Sequence, residues 1–217
     1  MLPRDIIEIL NRPDHLDPTR CLRNSHTLTL IPRVSLKSFG ELNRKYFDST
    51  IGYEYAVQNV LDQTPPNDKS YWALMSKDVL NGSKDKNYET QQKMVAVLSQ
   101  NANVNCEIPT ALEAVVSILT QHVRSGERLF SDEPVVFTRS LDVHEGCPVD
   151  VGGFGPSGLV LVISAYDDDV GVAALRKFRP LVRSCIENKE KKALDNWSLL
   201  EVLWRLTFGV FEGLRID

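Results

Sequence analysis

Gly153-Phe-Gly-Pro-Ser-Gly158 spells G-x-G-x-x-G, the pattern of a turn that cradles a phosphate. Such a turn binds pyrophosphate when it leaves a strand and opens a helix whose N-terminal amides face the anion. Here the glycines precede the apolar stretch Gly158 to Tyr166, and Pro156 removes one backbone donor, so the pattern predicts a turn or loop between strands. Asp167-Asp-Asp169 follows that stretch. Carboxylates at a strand terminus can hold Mg²⁺ for phosphoryl chemistry, and they also serve as a polar turn and helix N-cap.

The four histidines, His15, His26, His122 and His144, show neither the H-E-x-x-H spacing nor any other paired spacing of a metal site. No serine stands in a G-x-S-x-G elbow. Cys21, Cys106, Cys147 and Cys185 are far apart with no C-x-x-C pair, which reads as reduced thiols rather than zinc ligands or a disulfide framework. The sequence therefore predicts no catalytic residue, no metal and no cofactor. Asp167 to Asp169 is the place where an enzymatic reading would begin.

Charge carries more information. Residues 1–45 hold eight basic side chains against five acidic ones, and residues 172–193 hold seven against two, in a chain of net charge −4. The overall acidity argues against nucleic acid as a partner. A local basic excess beside Tyr46, Phe47 and Phe178 suits anionic lipid headgroups, at roughly 1 kcal/mol per cation near the surface.

These residues must be positioned by a chain of 217 amino acids, 42% hydrophobic, which predicts one domain over 1–217. The first residues have no signal-peptide core, and the longest apolar run, Gly158 to Tyr166, is too short to span a bilayer as a helix. Synthesis in the cytosol is expected, and Asn81-Gly-Ser83 and Asn196-Trp-Ser198 are then not glycosylated. Ile6, Ile7 and Leu10 predict a short amphipathic helix ending near Asn11. Alternation from Thr27 to Leu36 predicts a strand that Pro32 bends or keeps at an edge. Helical spacing is read over Tyr53 to Leu61, and again after a Ser70 cap through Trp72, Leu74, Met75 and Val79.

Residues 93–108 read as a strand with one wet side, because Asn101 to Ile108 alternates polar and apolar at each residue. Thr110-Ala-Leu-Glu113 is a capping box that opens a helix to about Arg124. Strands follow at Val135 to Val143, where Arg139 breaks the apolar side, and at Gly158 to Tyr166. The chain then reads as helical over Val170 to Cys185 and over Trp197 to Leu214. The fold class is α+β, a twisted, mostly antiparallel sheet with surrounding helices.

Taken in order, several segments resemble the pore-forming N-terminal domain of the gasdermin family, including its short fungal cell-death members without a repressor domain. The likeness is carried by Leu28-Thr-Leu-Ile-Pro-Arg-Val-Ser-Leu36, Val57-Gln-Asn-Val-Leu-Asp62, Tyr71-Trp72 to Gly82, and Arg124-Ser-Gly126 followed by Val135-Val-Phe-Thr138. It spans about residues 1–165. The helical reading of 71–81 departs from that family, which has an aromatic strand there, and Arg139 would fall on a lipid face at about 2 to 4 kcal/mol.

The resemblance implies a cytoplasmic monomer that binds acidic phospholipid, relocates to the plasma membrane, self-oligomerises and inserts amphipathic β-hairpins as a β-barrel, causing cell death. It makes Arg4, Arg12, Arg33, Lys37, Arg44 and Lys45 the lipid contacts and residues 93–108 and 135–151 the inserting segments. Something must then hold the chain soluble, either the helix Trp197 to Leu214 or an activating partner protein. The rival expectation is a soluble, non-catalytic α+β protein-interaction module that docks a partner on the Trp197 to Phe211 stripe.

Overall fold

The computed structural model describes residues 2–3, 5–46, 52–163 and 170–178. These belong to the first of two compact units, 1–178; the second, 179–217, lies outside the described residues. So do Asp167 to Asp169 and the C-terminal stripe from Trp197.

The chain opens with α1 (Ile6–Asn11) and α2 (Leu22–Ser25), followed by β1 (His26–Ile31), α3 (Leu36–Tyr46), β2 (Tyr53–Ala56), α4 (Gln58–Gln63) and β3 (Tyr71–Ser76). Then come α5 (Tyr88–Ala102), β4 (Cys106–Glu107), α6 (Ala111–Ser125), β5 (Phe137–His144), β6 (Cys147–Gly155), β7 (Gly158–Ile163), β8 (Val170–Gly171) and β9 (Leu175–Phe178). The fold is α+β, with most strand pairings antiparallel. The strands form two sheets rather than one, ordered β1-β3-β9-β4 and β2-β7-β6-β5-β8, with parallel pairing at β2/β7 and β5/β8.

Helix α6 packs against strands of both sheets. Its Thr110 hydroxyl accepts from the Glu113 amide and the Glu113 carboxylate accepts from the Thr110 amide, so the capping box forms as the sequence predicts. Every residue from Ala111 to Gln121 is buried, which is why its apolar positions run almost all round the helix rather than along one stripe. Pro32 ends β1, which occupies the edge of its sheet as expected.

Four sequence readings are corrected. Residues 71–76 are the strand β3, not a helix. This strand lies between β1 and β9, so Ala73 to Ser76 are all buried and the alternation that marks a half-exposed strand is missing. Tyr53 to Leu61 divides into β2 and α4 at Val57. Residues 93–108 are mostly helix. Asn87 accepts from the Thr90 amide to start α5, Asn103 ends it in the left-handed region, and only Cys106–Glu107 pair as a strand. In the described part of 170–185, β8 and β9 replace the expected helix. Helix α3 was not anticipated; the Ser35 hydroxyl accepts from the Ser38 amide at its start.

Gly155 and Gly158 are register partners across the Pro156–Ser157 turn that joins β6 to β7. The glycine pattern is thus a hairpin turn. A Cβ on Gly158, whose φ is +129°, would lie 2.7 Å from the Glu54 nitrogen, so the backbone of β2 approaches β7 only because this residue has no side chain.

Candidate functional site

Ile9, Leu22 and Leu74 pack as one buried cluster beneath the N-terminal helices, joined by Leu10, Leu28 and Phe178. Above it the connection between α1 and α2 is pinned. The Leu22 amide donates to the Arg12 carbonyl (3.0 Å), the Asp14 amide to the Arg20 carbonyl (2.8 Å), and Pro13 bridges Cys21. Asp14 accepts from the Leu16 amide at 2.9 Å, which turns the chain and places His15 and Leu16 at its tip.

The opposite wall comes from the end of α5. Ser99 Oγ donates to the Val104 carbonyl (2.7 Å) and accepts from the Cys106 amide (3.1 Å), fixing the turn that leads into β4. Pairing of Cys106 with Arg176 then brings β9 alongside. Between the walls lies an open pocket of about 230 Å³ lined mostly by aliphatic groups, among them Leu22, Leu74, Leu98 and Val104, with Arg12, His15, His26 and Arg176 around it. A shallower recess of about 450 Å³ shares His15, Leu16 and Leu98 with it and adds Met94, Lys93 and Val97. Leu16 and Val97, 47% and 52% exposed, both line this recess and so place two solvent-facing aliphatic side chains together.

The electrostatics of this face are uneven. Burial pushes the Arg176 guanidinium below its ordinary pKa, the neighbouring Cys106 opposes this, and the charge of Arg12 adds a smaller push downward. Burial also lowers His26, opposed by Asp14, whose Oδ2 lies 4.0 Å from His26 Nδ1; that nitrogen is 2.9 Å from Ser25 Oγ. Burial raises the Cys106 thiol, so it is a poorer nucleophile than a free cysteine.

A second polar cluster is closed on itself. Lys177 Nζ lies 2.7 Å from Glu107 and 2.9 Å from buried Glu113, which also accepts from the Tyr71 hydroxyl. Its partners tie β3, β4 and β9 to the start of α6. Among the described residues no group of three or more His, Cys, Asp or Glu is placed to hold a metal ion, and no helix is long and apolar enough to cross a membrane.

Of the predicted lipid contacts among the described residues, only Arg12 lines this face. It is also paired with Glu8 at 2.6 Å, an exposed i,i+4 contact of small value. Lys37 is paired with Asp62 at 3.2 Å, and Arg44 donates to the Tyr53 carbonyl while its aliphatic stem packs on Gly52. Arg33 and Lys45 are exposed, and Arg4 lies outside the described residues. Arg139, expected on an apolar face, is buried. Its Nε lies 3.8 Å from Asp150, and its Nη1 donates to the Lys86 carbonyl and to Gln91.

Sequence reasoning did not bring His26, Val104 and Arg176 together with Arg12 at one pocket, since they come from segments far apart in the chain. Compared with protein-family models, curated proteins and solved structures, the chain matches none.

Proposed function

We propose that this chain acts by non-covalent recognition of acidic lipid, using the face formed by the α1–α2 connection and the end of α5. One observation carries the reading: Leu16 and Val97 stand exposed on a recess that continues into an apolar pocket edged by Arg12 and Arg176. Exposed aliphatic side chains gain by entering the acyl boundary, and cations beside them are drawn to anionic headgroups.

The stronger form of the reading is pore formation. What favours it is the long β5–β6 hairpin, whose outer half exposes Leu141 and Val143. Insertion would require α5 to unwind and the β5–β6 hairpin to carry its buried Arg139–Asp150 pair out of the fold. Peripheral binding requires neither.

Mixing the protein with dye-loaded vesicles, with and without phosphatidylserine, tests both forms. Selective binding without release is expected, selective release would establish the pore, and failure to bind at low salt would turn the reading toward a protein partner.

A further inference from the structure

We propose that the apolar pocket lined by Arg12 and Arg176 is a binding site for one single-chain amphiphile with an anionic head, the head lying at these two guanidiniums and the chain running over Leu22, Leu74 and Leu98. This rests on the lipid-binding reading of the surrounding face and names the molecule it takes.

Size is the first argument. A volume of about 230 Å³ holds roughly eight groups of about 30 Å³ each, so about eight carbons of an alkyl chain fit inside and those next to the head lie at the mouth. It is smaller than the roughly 300 to 1,000 Å³ of drug-sized sites, and too small for the two chains of a membrane phospholipid. The lining is apolar along most of its length, so a fully polar anion would leave it unfilled.

Charge is the second. Arg176 and Lys177 are neighbours on β9 and are treated in opposite ways. Lys177 is held by Glu107 and Glu113, whereas no carboxylate pairs with Arg176 among the described residues; its guanidinium lies 4.9 Å from the Phe178 ring, and it lines the same pocket as Arg12. Arg12 is engaged with the exposed Glu8 at 2.6 Å, a pair that solvent screens, so the two guanidiniums that line this one apolar pocket still favour an anion beside them. The carboxylate that lines the pocket, Asp14, is turned toward the Leu16 amide and His26. The planar guanidinium fork suits a carboxylate, phosphate or sulfate head equally, so the shared chemistry is an oxyanion on an alkyl chain.

Calorimetric titration of the full chain with decyl sulfate, below its micelle concentration, tests the site; decyl maltoside and inorganic sulfate serve as controls. Decyl sulfate stays ionised at all working pH values. One molecule is expected to bind at least tenfold more tightly than decyl maltoside and about a hundredfold more tightly than sulfate. Arg176→Gln is expected to weaken decyl sulfate about tenfold and leave decyl maltoside unchanged. Val104→Trp, which fills the pocket from a surface turn, should abolish binding of both, with circular dichroism verifying the fold. Equal binding of decyl sulfate by the wild type and Arg176→Gln would overturn the proposal, as would equal binding of decyl sulfate and sulfate. A parallel arm with phosphatidylserine vesicles separates a free amphiphile from a bilayer headgroup. Sedimentation with vesicles but no response to decyl sulfate removes the pocket ligand and leaves the lipid-binding face, whereas failure in both arms removes the lipid reading itself.

Discussion

Arg139 and Asp150 are register partners on β5 and β6, and their side chains, 6% and 0% exposed, approach to 3.8 Å inside the second sheet. Removing one partner leaves a buried charge uncompensated. Asp150→Asn or Arg139→Met is expected to cost about 3 to 5 kcal/mol in denaturant unfolding, and the double variant Arg139→Met/Asp150→Leu should recover most of it. A double variant no more stable than the singles would mean that the Lys86 and Gln91 contacts of Arg139, rather than its charge pair, hold the hairpin.

The Thr110 capping box fixes the start of α6, and the buried Glu113 in it also binds Tyr71 and Lys177. Thr110→Ala is expected to cost about 1 kcal/mol in thermal or chemical unfolding. Glu113→Ala should cost more, because it also removes the acceptor of the Tyr71 hydroxyl and one of the two carboxylates that hold Lys177. Similar losses for the two would show that the cap alone matters.

Gly158→Ala tests the close approach of β2 and β7. With φ at +129° and a Cβ 2.7 Å from the Glu54 nitrogen, the substitution is expected to cost more than about 1 kcal/mol and to raise amide exchange across the parallel pair. Gly82→Ala, where a Cβ meets nothing within 4 Å, is the control for backbone strain alone.

His26 makes stability depend on pH. Its pKa is lowered in the folded protein, chiefly by burial, so the unfolded chain binds its proton more readily. The stabilising contribution is therefore present above the unfolded value near 6.5 and is lost as pH falls from there through the folded value. Unfolding free energy measured from pH 8 to pH 5 should decline below about 6.5, and His26→Gln should flatten that part of the curve. An unchanged slope in His26→Gln would assign the decline to other groups.

Much of the scaffold is legible in the sequence where local chemistry decides it. The capping box at Thr110 and Glu113 announces α6, and the glycines before the apolar run mark the β6–β7 turn. The failures arise where tertiary burial hides the period. Trp72, Leu74, Met75 and Val79 suit a helix by spacing alone, yet β3 is flanked by strands on both sides. The alternation of Asn101 to Ile108 begins at the last turn of α5 and continues past Asn103, so its strand signal covers only a two-residue strand. The helix formers Gln91, Gln92, Lys93, Met94 and Leu98 were the better guide. The pocket was not legible at all: Arg12, Leu74, Leu98 and Arg176 share no local pattern, and only the pairing of β4 with β9 brings the last beside Cys106.

Sedimentation of the protein with phosphatidylserine vesicles across a salt series, alongside Leu16→Asp and Arg33→Glu, tests the lipid-binding face most directly. Binding is expected at low salt, declining as salt screens the cations, with Leu16→Asp reducing it at least tenfold and Arg33→Glu changing it less than twofold. Vesicle binding that survives Leu16→Asp, or is absent at low salt, would contradict the assignment of that face.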